Sequence, residues 1–279
     1  MSSIQFTFLP APELLKNDVE CLRIAHQSSG EAVSIKVAPS AVPGIVFCHN
    51  SGQSAIEQII TQSGRQSSPP PLFLCGAGIE PSVMHFKAGS FTTIHVIFKP
   101  CALKTLFGIN ASHLADGFAE LNEFSTDDLS MQMVEASNEQ QRLTVLTSFL
   151  LTRLKQENPR DLLIEESLRS IQQNSASLHV KDLLSSLNIS ERQFERRFKE
   201  TVGVSPHSYI RVKRFHEAIR LIKARQFERL TDVASALNYY DQSHLIREIK
   251  AFSLLTPKRL ARRVDDFYHE QAGYSYRET

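Results

Sequence analysis

Residues 190–206, SERQFERRFKETVGVSP, and residues 241–257, DQSHLIREIKAFSLLTP, carry the same pattern. Phe194 and Leu245, Phe198 and Ile249, Lys199 and Lys250, and Pro206 and Pro257 are each 51 positions apart. Upstream, Leu187 and Leu237 are 50 apart, so the second turn is one residue longer. Each copy reads as a short helix (180–187 and 231–237), a tight turn (Asn188-Ile189 and Asn238-Tyr239-Tyr240) and a longer helix. Ser190 is placed to cap its helix, with Gln193 at the third helical position as in a capping box. Asp241 can cap the second and complement its dipole. Phe194 and Phe198, and Leu245, Ile249 and Phe252, fall on one face each, the core face. The opposite faces carry Arg192, Glu195, Arg196 and Lys199 in the first copy, and Gln242, Ser243, Ile246, Arg247 and Lys250 in the second. Asn188 and Asn238 sit where a left-handed residue is often needed, a conformation that Asn tolerates better than other non-glycine residues.

A helix-turn-helix accounts for this layout. Its second helix enters the major groove, and the exposed side chains reach base edges or phosphates. Arg reads guanine through O6 and N7, and Gln reads adenine or a phosphate. Residues 206–222 between the copies form one helix, with Tyr209, Val212, Phe215 (beside His216), Ile219 and Ile222 as a buried stripe. Arg211, Lys213, Arg214 and Arg220 are left for solvent or phosphate. A rigid linker of this kind would hold two reading heads about one DNA turn apart, ~34 Å.

The chain of 279 residues predicts two domains, and its 42% hydrophobic and 22% charged residues suffice for a core without staples. The net charge of +1 hides an asymmetry: 21 Lys and Arg stand against 16 Asp and Glu over 160–279, but 10 against 14 over 1–159. A net of +5 on the second half suits an anionic partner there. Cys21, Cys48, Cys75 and Cys101 form no CxxC pair, which excludes zinc-finger and thioredoxin-type sites. No long apolar run suggests a membrane span, and the first 20 residues carry Pro10, Pro12, Glu13, Lys16 and Asp18 in place of a signal core. The expectation is a cytoplasmic, reduced protein.

The first half predicts a strand-rich α+β domain. β-prone runs at 32–37, 44–48, 72–75 and 91–98 each precede turn residues. Residues 61–71, TQSGRQSSPPP, read as a polar surface loop. From Thr126 the period becomes helical, with Leu129, Met133, Leu143, Leu146, Leu150, Leu151 and Leu154 in phase and a loop around Asn138. The leucines of 143–154 suit packing on their own domain or a dimer contact. Asn158-Pro159 marks the boundary. The division expected is 1–158 for sensing or dimerisation, then an all-α domain over 159–279 with two helix-turn-helix subdomains and a linker helix. Cys48, His49, His85, His95 and Cys101 match no metal-ligand spacing. Ser51-Gly52-Gln53 and Gly76-Ala77-Gly78 read as turns, with neither a P-loop context nor a GxSxG elbow nearby. Neither cofactor nor catalytic residues are expected. A second reading makes the first half a small-molecule-binding protein or enzyme with an accessory helical domain.

Residues ~160–265 resemble the paired helix-turn-helix domain of the AraC/XylS family of bacterial transcription regulators. In the first copy, Ser190, Phe194, Arg196, Phe198 and Lys199 lead to Gly203, Ser205, Pro206 and Tyr209. In the second, Ala234, Leu237, Asn238, Tyr239, Tyr240, Asp241, Ser243, His244, Leu245 and Arg247 are similar to the family's A-x-x-L-G-F-S-D-x-S-Y-F-x-R pattern. The departures are Asn238 and Leu254 for Gly, Tyr240 for Ser, His244 for Tyr and Ile249 for Phe; Leu254 suggests an altered turn. The resemblance implies base contacts from Arg192, Glu195, Arg196, Gln242, Ser243, Ile246 and Arg247. Glu195 would suit a cytosine amine and Ile246 a thymine methyl. In a DNA-binding reading, phosphate contacts from Arg197, Lys199, Arg214, Arg220 and Lys250 would supply much of the affinity. Double-stranded DNA is the implied partner. A small-molecule effector, RNA polymerase and a second copy of the chain are the further partners the resemblance suggests, with activation or repression left open. The first half is similar to an uncharacterised amino-terminal domain of some members. The similarity rests on residues 8–14, Val37-Ala38-Pro39, residues 96–100 leading to Leu106-Phe107-Gly108, and Leu114-Ala115-Asp116 with Leu121.

Overall fold

Alternating apolar and polar residues, cut by Pro and Gly, make the first hundred residues a succession of antiparallel strands. The computed structural model describes residues 4–28, 30–125, 128–174, 180–224, 226–262 and 275–277. The strands are β1 (Gln5–Pro10), β2 (Val19–Gln27), β3 (Val33–Val37), β4 (Gly44–Asn50), β5 (Gln53–Ser54), β6 (Ile56–Thr61), β7 (Gln66–Ser67), β8 (Leu72–Cys75), β9 (Ser82–Phe86), β10 (Phe91–Phe98), β11 (Phe118–Glu120) and β12 (Ser275–Arg277). One sheet runs β1-β2-β10-β4-β8-β11 with β5 folded onto β4, and the other runs β12-β3-β9-β6-β7. The four strands expected from sequence are present. The 61–71 stretch departs from a plain loop, because Gln66 and Ser67 pair with β6 at the sheet edge before the prolines begin.

The two faces of the first sheet carry different cores. Leu22, Ile24, Ile45, Phe47, Ile94, Val96 and Phe98 face the helices α1 (Ala102–Phe107), α2 (Leu129–Glu135) and α3 (Glu139–Leu154). There Leu103, Leu106, Phe107, Met133, Leu146, Phe149 and Leu150 cover them. The 143–154 helix therefore packs on its own domain. Asn138 accepts a hydrogen bond from Gln141 N and starts α3 after the expected loop. On the other face, Val46, Cys48, Phe73 and Phe91 meet Val33, Ile56 and Phe86 of the second sheet.

The second half is helical: α4 (Leu162–Asn174), α5 (Val180–Leu187), α6 (Glu191–Val202), α7 (Pro206–Lys223), α8 (Leu230–Ala236), α9 (Gln242–Ser253) and α10 (Pro257–Ala261). Two of the caps, Ser190 and Asp241, are those the sequence names; Ser205 and Thr256 are added by the structure. Ser190 accepts from Gln193 N, Asp241 from His244 N, and Ser205 and Thr256 open α7 and α10 just before their prolines. Asn188 (φ 48°) and Asn238 (φ 54°) are left-handed, as their turns require.

Three features differ from the sequence reading. Leu254 does not alter its turn: it takes the left-handed C-cap at φ 58°, the role Gly203 plays after α6 at φ 98°. The α7 side chains Arg211, Lys213, Arg214 and Arg220, left outside the stripe by periodicity, are all half-buried, because α7 is enclosed by both helix-turn-helix units and by the first domain. Finally, the division at 158/159 is crossed by the chain itself. Ser275, Tyr276 and Arg277 pair with Val37, Lys36 and Ile35 of β3, so this segment of 159–279 belongs to a sheet of the first domain. The helical core also takes in Ala38, Ala41, Ala77 and Cys101 from the first domain.

Candidate nucleic-acid interface

The helix-turn-helix units present their polar faces because their apolar stripes are consumed by the core. Phe194, Phe198, Leu245 and Ile249 are fully buried. Each stripe fixes the rotation of its helix, so the residues between them must point outward. On α6 this exposes Arg192, Glu195, Arg196 and Lys199. On α9 it exposes Gln242, Ser243, Arg247 and Lys250, with Ile246 half-buried beside them. Arg196 borders a groove also lined by Leu163, Asn188, Ile189, Gln193 and Arg197.

The cations named for phosphate differ in their freedom. Lys199 and Lys250 are exposed. Arg197 holds Asp161 with two hydrogen bonds, of 2.6 and 3.0 Å. Burial alone would raise the Asp161 carboxyl, but the Arg197 hydrogen bonds and the Ile164 N–H outweigh it and hold it below its ordinary value. The same contact raises Arg197. Arg220 is bound to Glu217 at 2.6 Å. Arg214 lies 5.7 Å from the ring centre of Tyr239, with its Nε buried and lacking a hydrogen-bond partner.

Sequence reasoning missed two contributors. Arg211 of α7 donates two hydrogen bonds to the Glu248 carboxylate of α9, which fixes the second reading helix on the linker. Glu248 lies on the inner side of α9, and no local spacing marks its partner. Tyr240, entering α9 ahead of its cap Asp241, is 93% exposed, whereas Tyr239 beside it is buried. The histidines and cysteines weighed as ligands lie apart in role. His49 stacks on Phe47, His85 bonds Ser34, His95 meets Arg23, and Cys101 packs into the helical core. Among the described residues no three His, Cys, Asp or Glu side chains group to hold a metal.

Residues 183–263 match a family model described as a helix-turn-helix domain, and residues 7–120 match one described as a domain of unknown function. LumQ of Photobacterium leiognathi, described as a probable transcriptional regulator, is 30% identical over 140 residues, covering 50% of this chain and 54% of that protein. The chain thus carries a helix-turn-helix domain over residues 183–263. It spans about half the length of that curated relative. ToxT of Vibrio cholerae is 14% identical with a TM-score of 0.47 over 93% of this chain and 98% of its own. An AraC-type regulator from Chromobacterium violaceum is 22% identical with a TM-score of 0.33 over 36% of this chain and 89% of its own. The paired helix-turn-helix units sit behind a strand-rich domain whose role its family model leaves open. Among the described residues no helix is long and apolar enough to cross a membrane.

Proposed function

We propose that the chain is a sequence-specific DNA-binding transcription regulator whose α6 and α9 read adjacent major grooves. The observation that carries this is the exposure of Arg192, Glu195, Arg196, Gln242, Ser243 and Arg247 on two helices whose opposite faces are completely buried. Ile246 adds an apolar contact for a thymine methyl. Lys199 and Lys250 contribute phosphate contacts as they stand; Arg214, Arg197 and Arg220 join them by turning or by releasing Asp161 and Glu217. The first domain is the place for a small-molecule effector or for self-association, and RNA polymerase is the partner that regulation requires. An effector acts here by binding one arrangement of the two domains better than another.

The test is selection of random DNA duplexes by the full chain at two salt concentrations. The isolated second half is the wrong reagent, since its core is completed by first-domain residues and its β12 would lose its partner strand β3. Enrichment of two short elements about one helical turn (~10 base pairs) apart is expected. Lys199→Ala and Lys250→Ala should each flatten the dependence of log affinity on log salt by about 0.9 without changing the selected sequence. Salt-sensitive binding with no enriched element would remove the sequence-specific reading.

A further inference from the structure

The second helix-turn-helix has one turn residue that the first lacks, and the structure identifies it. Asn188 and Asn238 are both left-handed, and Ser190 and Asp241 both cap the helix that follows. Between these fixed points stands one residue in the first unit, Ile189, and two in the second, Tyr239 and Tyr240. Ile189 packs against the helical core, and Tyr239, 7% exposed, does the same in the second unit. Tyr240 is therefore the additional residue, and it is 93% exposed.

Its direction follows from its neighbours. Tyr239 is turned into the core, and the backbone runs extended into Asp241, at φ −155° and ψ 175°. Successive side chains of an extended stretch point opposite ways, so Tyr240 stands outward. Asp241 turns its carboxylate back onto His244 N at 2.6 Å and caps α9. The next two residues, Gln242 and Ser243, are exposed on the reading face. A reading helix enters the major groove by its N-terminal end. A side chain just ahead of that end therefore meets the sugar–phosphate wall that borders the groove. The base-facing candidates Gln242, Ser243, Ile246 and Arg247 all follow the cap, whereas Tyr240 precedes it. Among the described residues nothing bonds the Tyr240 hydroxyl, so its donor is available to a partner.

We propose that Tyr240 positions the second reading helix on DNA: its phenol donates a hydrogen bond to one backbone phosphate at the edge of the groove, with the ring against the adjoining deoxyribose. Tyrosine is among the side chains that bond phosphate oxygens, and such contacts set register and orientation without reading sequence. The side chain suits this task because two torsions fix a large apolar ring with a polar tip, so little freedom is lost on contact. It also donates without charge, directly ahead of an Asp241 carboxylate that repels phosphate. The two heads therefore grip the backbone differently. Lys199 and Lys250 hold it by charge on both, and the second head alone adds a neutral donor. The inference rests on reading α6 and α9 as the DNA-reading helices.

The experiment compares the full wild-type chain with Tyr240→Phe and Tyr240→Ala on the duplex enriched by selection, over a range of salt. Tyr240→Phe should bind about tenfold more weakly, as expected for one lost hydrogen bond to a charged group, and Tyr240→Ala at least as weakly. The slope of log affinity against log salt should stay unchanged, because a neutral donor releases no counterion; Lys199→Ala and Lys250→Ala flatten it. Replacing phosphates one at a time by neutral methylphosphonates should reveal one position, beside the second element, that weakens the wild type but not Tyr240→Phe. Tm should be the same for all three chains, since the side chain touches nothing in the free protein. Full affinity in Tyr240→Phe, a changed selected sequence, a flattened salt slope or the absence of such a phosphate would each overturn the proposal and leave the DNA-binding reading intact. A wild-type chain that enriches no element would overturn that reading and the proposal with it.

Discussion

Leu254 is a branched side chain in a backbone conformation that suits glycine. At φ 58° its Cβ crowds the neighbouring carbonyl, at about 1–2 kcal/mol for a non-glycine residue. Glycine would relieve this, offset by its greater freedom in the unfolded chain, about 0.5–1 kcal/mol. Leu254→Gly should therefore stabilise the protein by about 0.5–1 kcal/mol, read as a higher urea midpoint at unchanged slope. Two adjacent arginines make a second contrast. Arg196 is exposed and Arg197 is committed to the buried carboxylate of Asp161. Arg196→Ala should weaken DNA binding by about 1–3 kcal/mol and relax one base position, with little change in Tm. Arg197→Ala should instead lower Tm, because it strands Asp161. Equal weakening on all sequences by Arg196→Ala would make it a phosphate contact. The outward direction of Arg196 was legible from its place opposite Phe194 and Phe198. Which of the two arginines is free was not, because Asp161 lies 36 positions upstream of Arg197.

At the scale of the element, caps and stripes were written locally and α7 was not. Ser190, Asp241, Asn188 and Asn238 act within a few residues of themselves, so spacing alone places them. The linker helix is different, since its polar side chains meet partners from several elements. Arg211 is the instructive case. It ties α7 to α9 through Glu248, a carboxylate 37 positions away that is 9% exposed as a residue. Glu248 holds Arg211 above its ordinary value mainly through that hydrogen bond. Arg211→Met keeps the aliphatic packing and leaves Glu248 unpaired, so it should cost about 1–3 kcal/mol of stability by urea unfolding. Replacing both partners together, as Arg211→Met with Glu248→Gln, should recover part of that loss. A double-mutant cycle with no coupling would show that the pair does not hold the second reading head.

At the scale of the whole molecule, the two halves share a core and several polar ties. Asp18, nearly fully buried, accepts from Thr105 at 2.6 Å and from Arg160 at 3.1 Å. His216 of α7 donates through Nε2 to the Pro39 carbonyl at 2.8 Å, and Tyr276 donates to the Ser253 carbonyl at 2.9 Å. Burial, then the Lys213 ammonium, hold His216 down to about 4 in the fold, against a smaller raising effect of its bond to Pro39. An unfolded histidine titrates near 6.5. Between those values the unfolded chain binds more protons, so the stability due to neutral His216 is full above about pH 6.5 and is lost as pH falls toward 4. His95 acts in the same direction. Wild-type protein should lose urea stability between pH 7 and pH 5, and His216→Gln should lose less. Identical losses would assign the effect to other groups.

The sequence by itself determined the paired helix-turn-helix, its caps, its left-handed turns and the faces its reading helices turn outward. Those features arise from interactions spanning four residues or so, and they occur twice, so the pattern checks itself. Tertiary structure alone decided how freely each cation stands, why Leu254 can serve where Gly203 serves, and which strands meet Arg23 and His95. It also decided that a three-residue strand near the carboxyl end completes a sheet begun at Val33. The physical reason is common to all four: sheet pairing, buried ion pairs and the joint between domains depend on contacts between residues far apart in the chain. Local periodicity fixes which way a side chain points, but not what it meets there.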